Sequence, residues 1–280
     1  MSTLAIGFFD GVHLGHQAIL RGADAALTFR NHPLTVLAPE RAPRLIMTPE
    51  ERVAAIRACG VRDVTVLDFT RELAALSAEE FVSRYLAAKV SRPKSSVRCG
   101  ANWRFGAGGA GDAAFLRSHG IAVEVVPYAT HGGKPVSSSR IRAALERGEI
   151  EDANAMMGRR FEVQGSRFKG KGLGTAIGYP TLNLDLRFAS SVLPLGVYEV
   201  EVEGLKGIAN YGLAPTLGDK SWTRPVMEVH LLGEGAKEVS PGTADGVSVT
   251  LVRYIRPEKK FASIEDLQRQ IAADCATINP

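Results

Sequence analysis

The segment from Gly7 to His16, GFFDGVHLGH, places two of the six histidines in the chain three residues apart at the expected start of a helix. Residues i and i+3 share a helix face, so His13 and His16 would point into one pocket. A helix N-terminus carries free N–H groups and the positive end of the helix dipole, which favour an anion. The pattern predicts a phosphate site. The spacing alone also allows packing histidines, or a metal site that includes Asp10.

A second candidate phosphate site is VSSSRIR, from Val136 to Arg142. Any of its three serines could cap the helical pattern that follows. Arg142 lies one turn beyond Ser138 on the same face, and a hydroxyl, free amides and a guanidinium together could clamp a polyphosphate. On these residues alone, a plain helix cap with a solvated arginine is the simpler interpretation.

The third segment, GANWRFGAGGAGD, contains glycines in GxGxxG spacing. Asn102, Trp103, Arg104 and Phe105 lie between the preceding strand and these glycines, and no acidic residue follows about twenty positions later after a second strand. Both observations argue against a dinucleotide-binding fingerprint. We expect a flexible loop that carries Asn102 and Arg104 over a ligand.

A fourth segment, RFKGKGLGTAIGYPTLNL, is rich in glycine and basic residues but lacks the order of a Walker A loop. Its Pro180-Thr181-x-Asn183 element places a hydroxyl and a carbonyl oxygen on a rigid turn. Both are hard ligands suited to Mg²⁺. A flexible basic loop between strands explains the segment almost as well.

The elements that must position these residues differ between the two halves of the chain. Up to residue 157, short apolar runs alternate with helices that begin at capping boxes, Thr48 to Glu51 and Ser77 to Glu80. This alternation predicts a Rossmann-like α/β domain whose parallel sheet carries helices on both faces and binds ligands at the carboxyl ends of its strands. The predicted strands are LAIGF, AALTF, VTVLDF, SVRCG and AVEVV.

From residue 158 to residue 280, glycine and proline punctuate segments with a period of two, such as GVYEVEVEG. Tyr198, Val200 and Val202 would face one side of their strand and the intervening glutamates the other. Several such strands predict a small antiparallel β-barrel. A terminal helix capped by Ser263 follows. We expect a helical stretch, from Ser138 to Met157, before the barrel.

The composition excludes several classes of protein. The chain has 280 residues, 45% of them hydrophobic, and a formal net charge of +4. No apolar run reaches eighteen residues, and the N-terminus lacks the basic region of a signal peptide. The three cysteines lie far apart without CxxC spacing. We therefore expect a cytoplasmic protein with no membrane partner, and the absence of a concentrated basic patch predicts no nucleic-acid partner.

GFFDGVHLGH, GANWRFG and SSSRIR, in this order, resemble the adenylyltransferase module of the prokaryotic bifunctional riboflavin kinase/FMN adenylyltransferase (FAD synthetase) family. The resemblance implies a nucleotidyltransferase domain over residues 1–157, with catalytic roles for His13 and His16. It implies flavin binding by Asn102, Arg104 and Phe105. It implies ATP or phosphate binding by Gly7, Phe9, Asp10, Gly15, Ser138 and Arg142.

The fourth segment and MEVHLL resemble the riboflavin kinase module of the same family, over residues 158–280. The resemblance implies a catalytic base at Glu228, because the riboflavin 5′-hydroxyl is a poor nucleophile until its proton is taken. It also implies Mg²⁺ ligands at Thr181 and Asn183. The flap glycines that would bind ATP are Gly172, Gly174 and Gly178.

The family predicts an enzyme that phosphorylates riboflavin to FMN and adenylylates FMN to FAD, with ATP as co-substrate. Its partners would be the small molecules riboflavin, FMN and ATP, with Mg²⁺ as cofactor. One alternative is an enzyme in which only one of the two domains is active. The other is a non-catalytic flavin- or RNA-binding protein built on the same folds.

Overall fold

The computed structural model describes residues 2–90, 95–170, 172–186, 192–213, 225–233 and 246–278. The chain forms two compact units, Met1–Ser139 and Arg140–Pro280. The first unit is built on an open parallel sheet and the second on a closed antiparallel barrel. This confirms the fold class that the sequence predicts.

The sheet of the first unit contains all five predicted strands, in the order β3-β2-β1-β4-β5, and every neighbouring pair is parallel. The chain builds outward from β1 on one side and then returns to β1 to add β4 and β5 on the other. The order therefore reverses next to β1, and ligands bind at the carboxyl ends of strands at such a point. The strands are β1 (Thr3–Ile6), β2 (Ala25–Phe29), β3 (Asp63–Leu67), β4 (Ser96–Gly100) and β5 (Ala122–Val126).

Helices cover both faces of this sheet. Leu4 and Ile6 of β1 pack on one face with Phe81 and Leu116, whereas Ala5 joins the core on the opposite face. The helices are α1 (Leu14–Leu20), α2 (Leu34–Leu37), α3 (Pro49–Ala58), α4 (Arg71–Ala75), α5 (Ala78–Phe81) and α6 (Ala113–Ser118). Single turns lie at Pro39–Arg41, Val82–Leu86 and Ala107–Gly109, and a small hairpin joins β6 (Thr130–His131) to β7 (Lys134–Pro135).

Both predicted capping boxes are present. The Thr48 hydroxyl accepts a hydrogen bond from the backbone N–H of Glu51, whose carboxylate accepts one from the N–H of Thr48. Ser77 and Glu80 make the same reciprocal pair. These local bonds fix where α3 and α5 begin.

The barrel of the second unit has six antiparallel strands in the closed order β10-β11-β12-β9-β8-β13. Tyr198, Val200 and Val202 are buried inside it, as their alternation predicts. The strands are β8 (Phe161–Phe168), β9 (Leu182–Leu186), β10 (Gly196–Val202), β11 (Leu205–Gly212), β12 (Val226–Leu231) and β13 (Val247–Arg256). A short helix, α9 (Leu173–Ala176), lies between β8 and β9.

The terminal helix, α10 (Ile264–Ala276), begins as predicted: the hydroxyl of Ser263 accepts from the N–H of Asp266. Its last turn is fixed to β13, because the guanidinium of Arg256 lies 2.6 Å from the carboxylate of the buried Asp274. An ion pair and a helix cap therefore secure the two ends of α10.

The predicted helical stretch from Ser138 to Met157 is confirmed, but it is not one continuous helix. The structure has two helices, α7 (Ser138–Glu146) and α8 (Ile150–Met157), separated at Gly148. Gly148 has a φ of +74°, and a Cβ there would lie 2.9 Å from the ring of Tyr254. A left-handed residue ends α7, and the close approach of that ring requires glycine.

Candidate active sites

The turn between β1 and α1, which carries the histidine pair, has a strained backbone. Phe9 has a φ of +58° and Val12 a φ of +38°, although neither is glycine. Such conformations cost about 1–3 kcal/mol each and persist only where the surrounding structure imposes them. Phe9 is also fully buried, so its ring anchors the turn in the core.

Three side chains from outside the turn hold its carbonyl groups. Thr28 on β2 donates its hydroxyl to the carbonyl of Phe8, and the Gln17 amide donates to the carbonyl of Val12, each at 2.9 Å. The hydroxyl of Ser138 donates to the carbonyl of Asp10, also at 2.9 Å. The turn is therefore fixed from a strand, from α1 and from the first residue of α7.

Asp10 contributes a fourth restraint. Its buried carboxylate accepts from the backbone N–H of Ile46 at 3.0 Å and from that of Met47 at 3.3 Å. The carboxylate thus binds the loop that precedes α3. Among the described residues, no three His, Cys, Asp or Glu side chains form a group that could hold a metal ion.

The structure brings His13 and His16 together. His13 is the N-cap of α1, and its Nδ1 accepts from the backbone N–H of His16 at 3.3 Å. The two rings stack with centroids 3.6 Å apart, and the Phe9 ring meets the His16 ring edge-on. A Cβ at Gly15 would lie only 3.2 Å from the His13 ring, so glycine leaves room for this arrangement.

Both imidazoles are neutral at pH 7. Burial lowers the pKa of His13 to about 4. Burial also holds the pKa of His16 well below its usual range, and the nearby His13 and Arg52 lower it further. Because Nδ1 of His13 is an acceptor, its proton lies on Nε2, which makes this imidazole a hydrogen-bond donor towards a ligand.

Of the other predicted phosphate-binding residues, Ser138 is the first residue of α7, and its hydroxyl is bonded to the turn. Arg142 follows one turn later on the same helix. Gly7 donates its N–H to the carbonyl of Leu27 on β2, and a Cβ at this position would meet the ring of Phe9 at 2.8 Å. Gly7 therefore lets the Phe9 ring fold back over the end of β1.

An aromatic cavity of about 300 Å³ lies in the first unit at the carboxyl ends of β2 and β3. Arg104 and Phe105 line it, whereas Asn102 is exposed and lies outside the lining. The Phe105 ring stacks on Trp103 with centroids 4.7 Å apart. The main lining residues are Phe29, Leu37, Phe69, Phe81, Trp103, Arg104 and Phe105.

Most of this aromatic lining was not predicted from the sequence. Phe29 ends β2, and Phe69 follows β3 by two residues. Aromatic side chains at the ends of neighbouring parallel strands are a signal that could have identified the cavity, because those ends meet at one edge of the sheet.

In the barrel, strand register brings the predicted kinase residues together. Glu228 on β12 pairs directly with Asn183 on β9 and with Asn210 on β11. Directly paired residues share a face and have Cβ atoms about 5 Å apart. Met227 and Val229, on the other face of β12, are fully buried. Burial raises the pKa of the Glu228 carboxyl, which favours proton uptake.

The glycine-rich segment lies against this polar row. A Cβ at Gly170 would fall 2.5 Å from the amide of Asn183, and one at Gly174 would fall 2.3 Å from the carbonyl of Tyr179. Gly172 and Gly178 have φ values of +75° and +88°. Only glycines allow the segment to approach Thr181 and Asn183 so closely.

One residue beside the barrel site, His230, was not predicted from the sequence. His230, two positions after Glu228, faces the same side of β12, and its Nδ1 lies 2.8 Å from the carbonyl of Pro180. This contact fixes the Pro-Thr-x-Asn turn against β12. The alternation of the strand could have identified it.

The folds and sites together define an ATP-dependent transferase with one candidate active site in each unit. The family model for FAD synthetase matches residues 1–140, and the model for riboflavin kinase matches residues 157–279. The chain belongs to the family of bifunctional riboflavin kinases/FMN adenylyltransferases. It is an enzyme with both activities, which confirms the function predicted from its sequence.

Relatives match along nearly the whole chain. The bifunctional riboflavin kinase/FMN adenylyltransferase of Escherichia coli K12 is 35% identical over 97% of this chain and 90% of its own length. That of Bacillus subtilis strain 168 is 32% identical over 98% of this chain and 90% of its own length.

A solved structure has the same architecture. The crystal structure of a protein named macrolide-efflux protein, from Streptococcus pneumoniae, superposes with a TM-score of 0.84 at 28% identity, covering 99% of this chain and 93% of that one. In this chain, no helix within the described residues combines the length and apolar character needed to span a membrane.

Proposed function

We propose that the two activities are divided between the halves of the chain as their side chains indicate. Residues 158–280 would phosphorylate riboflavin to FMN, and residues 1–157 would transfer the adenylyl group of ATP to FMN. One observation supports this division of the two reactions. The first unit contains neutral imidazole donors, whereas the barrel contains a carboxyl group whose pKa is raised by burial. We place the enzyme in the cytoplasm, where ATP is available.

In the first unit, an oxygen of the FMN phosphate attacks the α-phosphorus of ATP. A new P–O bond forms, the bond between the α-phosphorus and the bridging oxygen breaks, and pyrophosphate leaves. The nucleophile is already an anion, so the protein needs no general base. Nε2 of His13, His16 and the helix N-terminus donate to phosphate oxygens as charge concentrates on them.

The aromatic cavity is the proposed site of the flavin ring. Its stacked Trp103 and Phe105 rings offer flat apolar surface to a planar ring system. Arg104 lies at the edge of the cavity, with its Nη1 3.8 Å from the carboxylate of Asp112. The cavity and the histidine pair both lie at the carboxyl side of the sheet, where a flavin could direct its phosphate to ATP.

In the barrel, Glu228 accepts the proton of the riboflavin 5′-hydroxyl as that oxygen bonds to the γ-phosphorus of ATP. The bond between the γ-phosphorus and the β–γ bridging oxygen breaks, and ADP leaves with the electron pair. A raised pKa suits a general base that works near neutral pH. The N–H groups of the glycine-rich segment would line the phosphates.

Thr181 and Asn183 would hold Mg²⁺. Their hydroxyl and amide oxygens are hard donors, and the glycines packed on them leave room that a Cβ would fill. Bound Mg²⁺ supplies positive charge to the phosphates of ATP.

Chromatography of a reaction with riboflavin, ATP and Mg²⁺ tests the assignment. FMN should appear first, and FAD should accumulate at its expense. FMN that never becomes FAD would mean an inactive first unit. FAD formed from added FMN but not from riboflavin would mean an inactive barrel. Flavin binding without any product would mean a non-catalytic binding protein.

A further inference from the structure

A buried arginine on α3 has no role in the reactions described so far. Arg52 has no exposed surface. Its Nη2 donates to the carbonyl of Phe29 at 2.5 Å and to that of Arg30 at 2.9 Å, at the carboxyl end of β2. Its guanidinium carbon lies 4.2 Å from the centroid of the Phe8 ring. The positive charge is therefore held at the ligand-binding edge of the sheet.

Arg52 is not neutralised by a direct partner. Its Nε and Nη1 have no hydrogen-bond partner, and no carboxylate among the described residues lies within ion-pair distance of it. Asp10 and Glu50 act on it only through space. Burial accordingly lowers the pKa of Arg52. An unpaired buried charge destabilises a fold strongly, so this arginine is costly as a purely structural residue.

The position of Arg52 links the two halves of the adenylyltransferase site. The guanidinium of Arg52 packs on the ring of Phe8, and Phe8 belongs to the turn that carries the histidine pair. Phe29, whose carbonyl it holds, lines the aromatic cavity. Its charge also reaches His16 and lowers the pKa of that imidazole. Arg52 thus lies under the junction of the phosphate site and the flavin cavity.

We propose that Arg52 is a positioning residue for adenylyl transfer, whose fixed positive charge draws the FMN phosphate and the α-phosphate of ATP together. The inference rests on the proposed function of the first unit. The two reacting groups are both anionic and repel each other. A charge inside the protein acts on them more strongly than one in water, and it does so without contact through the intervening ring.

Three substitutions separate charge from hydrogen bonding. Arg52→Lys keeps the charge and a donor, Arg52→Gln keeps N–H donors without the charge, and Arg52→Met keeps neither. At saturating ATP and FMN, we expect the lysine variant to retain kcat for FAD formation within about threefold. In the other two variants, this kcat should fall about tenfold or more, which corresponds to an increase of about 1.4 kcal/mol in the barrier to adenylyl transfer.

Kinase activity of the same proteins is the internal control and should stay within about twofold, because the barrel has its own site. Thermal denaturation should show that the glutamine variant folds and melts at or above the wild-type temperature, since it removes an unpaired buried charge. If the methionine variant does not fold, the lysine and glutamine variants decide the question alone.

Two results would overturn the inference. Full FAD formation by folded Arg52→Gln would show that charge is not needed. An active glutamine variant beside an inactive methionine variant would assign Arg52 to hydrogen bonding. Failure of the proposed function would give different results. In that event the wild type would make no FAD, or His16→Ala would make FAD as fast as the wild type.

Discussion

The two proposed active sites would use the same co-substrate, ATP, but they offer it opposite chemistry. In the first unit, burial lowers the pKa values of two imidazoles, so in the proposed mechanism they would act as neutral donors. In the barrel, burial raises the pKa of a carboxyl, so Glu228 takes up a proton readily. The nucleophile explains the difference. The FMN phosphate is an anion before it reacts, whereas the riboflavin hydroxyl must lose a proton.

The two sites also shape their backbones differently. The turn that carries His13 and His16 forces Phe9 and Val12 to positive φ and is held by side-chain hydrogen bonds. The barrel site instead uses glycines whose missing Cβ atoms allow close packing on Asn183. Rigid side-chain restraints therefore position the donors of one site, and close backbone approach shapes the other.

Glu228→Gln should give the largest effect. Losing the base should lower FMN formation from riboflavin by about 10³-fold, within the usual range for general-base catalysis. FAD formation from supplied FMN should stay within about twofold. Both rates can be read by chromatography. Glu162→Gln, at an exposed position on β8, is the matched control and should change neither. Loss of both activities in folded Glu228→Gln would refute the contrast between the sites.

His16→Ala should produce the reciprocal result. FAD formation should fall by about 10²-fold to 10³-fold, the effect of removing one preorganised donor from charged oxygens. FMN should therefore accumulate from riboflavin at nearly the wild-type rate. His119→Ala, at an exposed position after α6, is the matched control. A folded His16→Ala enzyme that still makes FAD normally would remove the histidine pair from the mechanism.

Trp103→Ala tests whether the aromatic cavity of the first unit binds FMN and not riboflavin. Loss of one stacked ring should raise KM for FMN about tenfold, because such contacts contribute about 0.5–1.5 kcal/mol beyond their buried area. KM for riboflavin in the kinase reaction should not change. Steady-state kinetics with each flavin would check both values. A matching rise in the riboflavin KM would show that the cavity does not serve FMN alone.

The smallest expected effects are on stability, and they have opposite signs. His13 titrates near pH 6.5 when unfolded and at about 4 when folded, so the unfolded state binds more protons and wild-type stability falls as pH drops between these values. The folded pKa of Glu228 is raised, so its ionisation destabilises the fold as pH rises. We therefore expect the Tm of Glu228→Gln to lie a few degrees above the wild-type Tm at pH 8, about the shift that a 1 kcal/mol difference in stability produces. This difference in Tm should disappear below pH 4.5, where the wild-type carboxyl is protonated in both states. An equal gap at both pH values would contradict this.

Local features made much of the fold predictable. Each of these features depends on residues close together in the sequence: the capping boxes, the alternation of GVYEVEVEG, and the spacing of His13 and His16. The break at Gly148 could not be predicted, because it depends on Tyr254, which is distant in sequence. Strand register likewise places Glu228 beside Asn183, and spacing within one segment cannot give that pairing.

Long-range packing also gives two residues contacts that their positions in the sequence do not suggest. Asp10 is next to the histidines in sequence, yet its carboxylate binds the backbone of Ile46 and Met47. The sequence of α3 suggests that Arg52 is a solvated residue of a charged helix, yet it is buried and contacts the carbonyls of Phe29 and Arg30 and the Phe8 ring. The contacts of these two residues therefore depend on long-range packing, which the local sequence does not show.

Mixing two inactivated proteins tests the division of labour most directly. Alone, Glu228→Gln and His16→Ala should each convert riboflavin to FAD at least about 10²-fold more slowly than the wild type. An equimolar mixture with ATP and Mg²⁺ should make FAD faster than either variant alone, because FMN made by the intact barrel of one protein can react in the intact first unit of the other. A mixture that accumulates FMN without FAD, while Glu228→Gln is folded, would contradict the assignment of the two reactions to separate sites.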